Sequence, residues 1–115
     1  MSIQRLHVGK RLSEAAIYNN TVYLAGQVAE DATQDITGQT KQVLVSIDKL
    51  LAEAGTDKSK LLQVTIFIAD MADFPGMNAV WDSWVVPGAT PPRATVEAAL
   101  AQPGWKVEML VVAAK

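Results

Sequence analysis

A chain of 115 residues with a net charge of −2, half of it hydrophobic and none of it cysteine, has the size of one domain. The composition excludes disulfides, thiol nucleophiles and thiolate metal sites, and it argues against nucleic acid or an anionic membrane as partner, since both require a basic patch. So large an apolar share is more than a single small domain can hide, which predicts self-association.

Along the chain, Ile3 to Val8 alternates weakly and reads as a first strand, with the single histidine, His7, an ordinary strand residue within it. Met1 to Lys10 lacks the plan of a signal peptide and no apolar run reaches membrane-spanning length, so a cytoplasmic setting is expected. Ala15 to Asn19 reads as a second strand. Asn19-Asn20 tolerates positive φ and suits a tight hairpin, with "TVYLAGQVA" as the return strand. From Thr37 to Ala54, Val43, Ile47, Leu50, Leu51 and Ala54 form one helical stripe that Gly55 stops. "LLQVTIFIAD" is a β-branched run expected to be a strand buried on both faces. Asp73 is placed to cap a second helix with Pro75 in its first turn. Phe74, Met77, Trp81, Trp84 and Val85 line its apolar side, and Pro87-Gly88 ends it. Trp81 and Trp84 read as core and interface packing.

Two closing strands, one from Arg93 and one from Lys106, complete the order strand, strand, strand, helix, strand, helix, strand, strand. The two crossovers predict parallel pairs, and the opening and closing hairpins predict antiparallel ones. The expected fold class is α+β, a mixed six-stranded sheet with two helices on one face. The other face is left for a second copy of the chain.

The chemistry is narrowed by elimination. The chain has no glycine-rich phosphate loop, no nucleophile elbow, no zinc-protease helix and no second histidine for a triad. Carboxylates, arginine, hydroxyls, backbone groups and water remain. Pro91-Pro92 stiffens the entry to a strand on which Arg93, Thr95 and Glu97 share one face. An arginine held this way reads either as a surface ion pair worth about 0–1 kcal/mol or as a bidentate carboxylate grip that lysine cannot reproduce. Glu108 shares its face with Leu110 and Val112, and reads either as a partner of Lys106 or Lys41 or as an acid–base group. If the last two strands pair as a hairpin, Arg93 and Glu108 lie on neighbouring strands. Asn78 on the second helix reads as a solvated residue or a pocket residue. Glu14 reads as a partner of Arg11 or a polar pocket contact.

At "VYLAGQVA", "LLAEAG", "VTIFIADMADFPGMNAVWDSW", "PPRATVEA" and "KVEMLVVAA" the chain resembles the Rid family (reactive intermediate deaminases, also called YjgF-like). Its "RLSEAAIYNN" opening is most like the YoaB-like branch. The resemblance implies a chorismate-mutase-like fold assembled as a homotrimer, with sheets inward and clefts between subunits. It implies hydrolysis of enamines and imines, such as 2-aminoacrylate and 2-iminobutanoate, to 2-keto acids and ammonia, without cofactor or metal. By motif, Arg93 matches the arginine that holds the substrate carboxylate, and Glu108 the glutamate that orients or activates water. Thr95 lies where backbone groups approach the substrate's imine or keto end, while Gly26, through its backbone, and Asn78 match residues at the cleft. Two departures are visible: Thr95 stands where many founding members carry cysteine, and Leu12 where they carry an aromatic residue. Arg11 and Glu14 are the candidates for replacing the lost polar contact. The alternative expectation is a non-catalytic trimer whose clefts bind small carboxylates or 2-keto acids. A chaperone-like interaction protein is a third class, without a specific sequence feature behind it.

Overall fold

The fold is described for residues 2–115 of a computed structural model; Met1, the start of the segment scanned for a signal peptide, lies outside them. Strands β1 (Gln4–Val8), β2 (Ser13–Tyr18) and β3 (Thr21–Leu24) form an antiparallel meander. Its second turn is the expected one: Asn19 and Asn20 adopt φ of 54° and 61°, the left-handed pair that a two-residue hairpin needs. The return strand is not continuous. It breaks at Ala25-Gly26 and resumes as the two-residue β4 (Gln27–Val28), so the sheet has seven strands where six were expected.

Helix α1 (Ile36–Glu53) is capped by Asp35, whose side chain accepts from the Gly38 N–H. It ends as predicted at Gly55, φ 85°. Helix α2 (Phe74–Trp84) starts with Pro75 in its first turn, but the Asp73 side chain makes no capping bond. Asp70 caps instead, accepting from Ala72 at the head of a short 3-10 turn that leads into α2. The helix stops at Trp84, three residues before Pro87.

Strands β5 (Leu61–Ile68), β6 (Arg93–Glu97) and β7 (Val107–Ala114) complete the order β1-β2-β3-β7-β5-β6, with β4 alongside β7. β5 and β6 are parallel, as the second crossover requires. The closing hairpin does not form: β7 inserts between β3 and β5, antiparallel to both, and β6 lies beyond β5 at the sheet edge. Alternation sets which way each side chain points, but it does not choose a strand's neighbours, and the long Ala98–Lys106 connection allows β7 to reach the centre.

Val64, Ile66 and Ile68 of β5 and Val107, Met109 and Val111 of β7 are buried beneath the helices with Val43, Ile47 and Leu51 of α1. β5 is therefore covered on one face only, contrary to the two-sided burial expected. On the bare face Tyr23, Leu110 and Val96 stay 49%, 42% and 43% exposed. No helix among the described residues is long and apolar enough to cross a membrane.

Candidate functional site

Strand register decides which of the predicted site residues share a face. Arg93, Thr95 and Glu97 lie beside Val64, Ile66 and Ile68, so this polar row points to the helix side at the edge of the sheet. Helix α2 supplies its wall. Phe74, Asn78 and Trp81 fall on one stripe at spacings of four and three. The Arg93 guanidinium carbon lies 5.8 Å from the Phe74 ring centroid and 5.2 Å from that of Trp81, both within cation–π range.

Among the described residues the only basic and acidic side chains brought together are His7 and Glu53, so Arg93 has no carboxylate partner. Thr95 Oγ1 and Asn78 Oδ1 are buried without any hydrogen-bond partner. Buried polar atoms are nearly always satisfied, so two exceptions on the surfaces flanking a free guanidinium mark a place where a ligand can supply the missing bonds. Glu97, on the same row, is occupied elsewhere: its carboxylate accepts from the Met71 N–H at 2.9 Å.

Glu108 faces the other way. It lies beside Phe67 of β5 and Val28 of β4 on the bare face, and neither Lys106 nor Lys41 pairs with it. Its carboxylate occupies the space over Gly26, in the break between β3 and β4. A Cβ on Gly26 would overlap Glu108 Oε2 and come within 3.0 Å of its carboxyl carbon. The glycine is thus what gives this carboxylate its place.

The five predicted residues form two groups, Arg93 with Thr95 and Asn78, and Glu108 with Gly26. Two strand spacings and three residue rises separate Arg93 from Glu108, roughly 14 Å between Cα atoms, and they point to opposite faces of the sheet. The neighbouring-strand arrangement that a closing hairpin would give is absent, and one chain does not bring the groups together.

Of three further positions, only His7 departs from expectation, and Glu14 takes the second of its two readings, a polar pocket contact. His7 has φ 51° within its strand, and its imidazole pairs with Glu53 of α1. Glu14 accepts from Gln27 Nε2 at 3.5 Å and does not pair with Arg11. Leu12 is exposed beside a hollow of about 750 Å³ at the β1–β2 turn, lined also by His7, Lys10, Arg11 and Glu14. Sequence reasoning gave the aromatic residues around Arg93 no part in the site. The spacing of Phe74 and Trp81 around Asn78 was the available signal, and it read as core.

Residues 2–115 match the family described as Endoribonuclease L-PSP. A RutC family protein of Haemophilus ducreyi is 53% identical over 112 residues, covering 97% of this chain and 96% of its own. The RutC family protein YoaB of Escherichia coli is 46% identical over 114 residues, covering 99% of both. The Reactive Intermediate Deaminase A of Arabidopsis thaliana chloroplasts is 30% identical over 107 residues, covering 88% of this chain and 57% of its own. Among solved structures, a YjgF-family member from Neisseria meningitidis superposes with a TM-score of 0.97 at 44% identity, covering 100% of this chain and 96% of its own.

Proposed function

The chain belongs to the Endoribonuclease L-PSP family, the Rid or YjgF-like group, and from that premise we propose that it is a cofactor-free hydrolytic deaminase of small 2-imino acids. The observation that carries the reading is the unpartnered guanidinium of Arg93, flanked by the unsatisfied Thr95 hydroxyl and Asn78 carbonyl. A cation kept free of internal carboxylates suits an anionic ligand, and its planar fork matches a substrate carboxylate.

The reaction asks little of the protein. A protonated 2-imino acid is already electrophilic at C2. Arg93 anchors the carboxylate, and Glu108 orients a water and takes one of its protons as the oxygen bonds to C2. The same proton passes to the amino nitrogen of the resulting carbinolamine. The C–N bond then breaks, ammonia leaves and the hydroxyl proton departs, giving the 2-keto acid.

Because Arg93 and Glu108 point to opposite faces, the reading requires two copies, one giving the arginine group and the other the glutamate group. The exposed apolar face bearing Tyr23, Leu110 and Val96 supports this, as self-association would bury it. The proposal is a cytoplasmic homotrimer with a shared cleft at each interface, acting on substrates of the 2-iminobutanoate type.

The test is release of ammonia or keto acid from 2-iminobutanoate made in situ by an amino-acid oxidase, measured above the spontaneous blank. Wild type is expected to accelerate release, and Arg93→Ala to lose at least about 100-fold in kcat/KM, the scale of a lost anchoring charge pair. No acceleration with this or other small imines would overturn the deaminase. Arg93-dependent binding of 2-oxobutanoate without turnover would establish the non-catalytic carboxylate trimer instead.

A further inference from the structure

Resting on that reading, we infer that Phe74 and Trp81 are positioning residues for Arg93, a neutral aromatic clamp that orients the guanidinium while leaving its charge and N–H groups for the substrate carboxylate.

Arg93 starts an edge strand, and a long side chain there loses rotamer freedom when it binds an anion. An internal carboxylate would remove that cost, but it would also neutralise the cation and compete with the ligand. Ring faces hold a guanidinium without using any acceptor, so all five of its donors stay available. Arg93 has two rings within 6 Å and no acid partner.

The clamp is itself anchored. Trp81 is 6% exposed, and its ring centroid lies 5.4 Å from that of Trp84 at a 47° tilt. Trp84 Nε1 donates to Asp48 of α1 at 2.9 Å. Lys58 Nζ lies 5.1 Å from the Trp84 ring centroid and donates to the Trp84 carbonyl at 2.6 Å. Support for the guanidinium thus runs from Arg93 through two indoles to the first helix. Phe74 is fixed separately, at the head of α2 before Pro75. A carboxylate gripped equally in the ground and transition states lowers KM without changing kcat, so loss of the clamp belongs in KM.

The variants are Phe74→Leu and Trp81→Leu, which remove a ring face, and Trp81→Phe, which keeps one. The measurements are KM and kcat for 2-iminobutanoate and calorimetric binding of 2-oxobutanoate. Each leucine variant is expected to raise KM and Kd about 5–10-fold, between the values of an exposed and a fully desolvated cation–π contact. Both should keep kcat within about twofold, and Trp81→Phe should stay near wild type, because aromaticity and not volume holds the cation. Unchanged KM and Kd in the leucine variants, or a rise that Trp81→Phe shares in full, overturns the clamp. Phe74, less buried than Trp81, carries the comparison if Trp81→Leu does not fold. A second readout is independent of turnover: the NMR resonance of the Arg93 Nε proton. Ring currents are expected to shift it upfield in wild type and to let it move part of the way back in Phe74→Leu, where the Trp81 ring remains. A resonance at the free-arginine position in wild type overturns the clamp even if deaminase activity is present, whereas a shifted resonance with no turnover or binding overturns only the deaminase.

Discussion

At the scale of single residues, the arrangement around Gly26 separates positioning from folding. Its missing side chain makes room for the Glu108 carboxylate, and the atoms that a Cβ would displace are the far end of that flexible side chain. Gly26→Ala should therefore push the carboxylate aside while leaving the backbone in place. A thermal midpoint within a few degrees of wild type is expected, with kcat down about 10–100-fold, the scale of a catalytic group misplaced by an ångström. A large loss of stability with activity per folded molecule unchanged would show that the glycine serves the β3–β4 break and not the carboxylate. Glu108→Gln is the companion variant. It keeps shape and hydrogen bonding but cannot take a proton, so kcat should fall about 100-fold with 2-oxobutanoate binding retained. Equal loss of binding and rate would assign Glu108 a structural role.

At the scale of elements, what could be read from the sequence depended on whether the signal was local. The stripe of Val43, Ile47 and Leu51 gave α1, the Asn19-Asn20 pair gave the hairpin, and alternation put Arg93, Thr95 and Glu97 on one face. The insertion of β7 between β3 and β5 was not legible, because alternation is blind to neighbours. The buried amide that locks β7 into that place was hidden for a related reason, since a glutamine in a helix reads as solvated. Gln39 stands at the head of the buried stripe of α1 and is fully buried. Its Nε2 donates to the carbonyls of Gln34 and Gly104 at 3.0 Å and of Ala32 at 3.2 Å, while its Oε1 accepts from the Lys106 N–H at 2.9 Å. One side chain thus ties α1 to the loop that launches β7 and so fixes where Glu108 begins. Gln39→Leu keeps the volume and strands those backbone groups. A cost of about 3 kcal/mol is expected from the orphaned carbonyls and amide, read as a lower denaturant midpoint with an unchanged slope. A loss below about 0.5 kcal/mol would mean that water replaces the amide.

At the scale of the whole molecule, the two halves of the proposed site occupy opposite faces of one sheet, and no rotamer change inside a chain can join them. If copies complete each other, a protomer lacking the arginine still contributes an intact glutamate, and one lacking the glutamate still contributes an intact arginine. Arg93→Ala and Glu108→Gln should each be impaired alone, yet their co-expressed mixture should recover activity. In a closed three-fold ring assembled at random from equal amounts, a site is whole only when the arginine comes from one variant and the glutamate from the other. That gives about a quarter of wild-type activity. A site confined to one chain gives none, because every chain in the mixture carries one of the two lesions. The bare face supplies the control. Leu110→Glu places a charge on the exposed apolar face without touching the buried core, so it should yield folded protomers with no recovery on mixing. Recovery near a quarter together with loss in the Leu110→Glu background would locate the site between copies; full activity in a Leu110→Glu monomer would confine it to one chain.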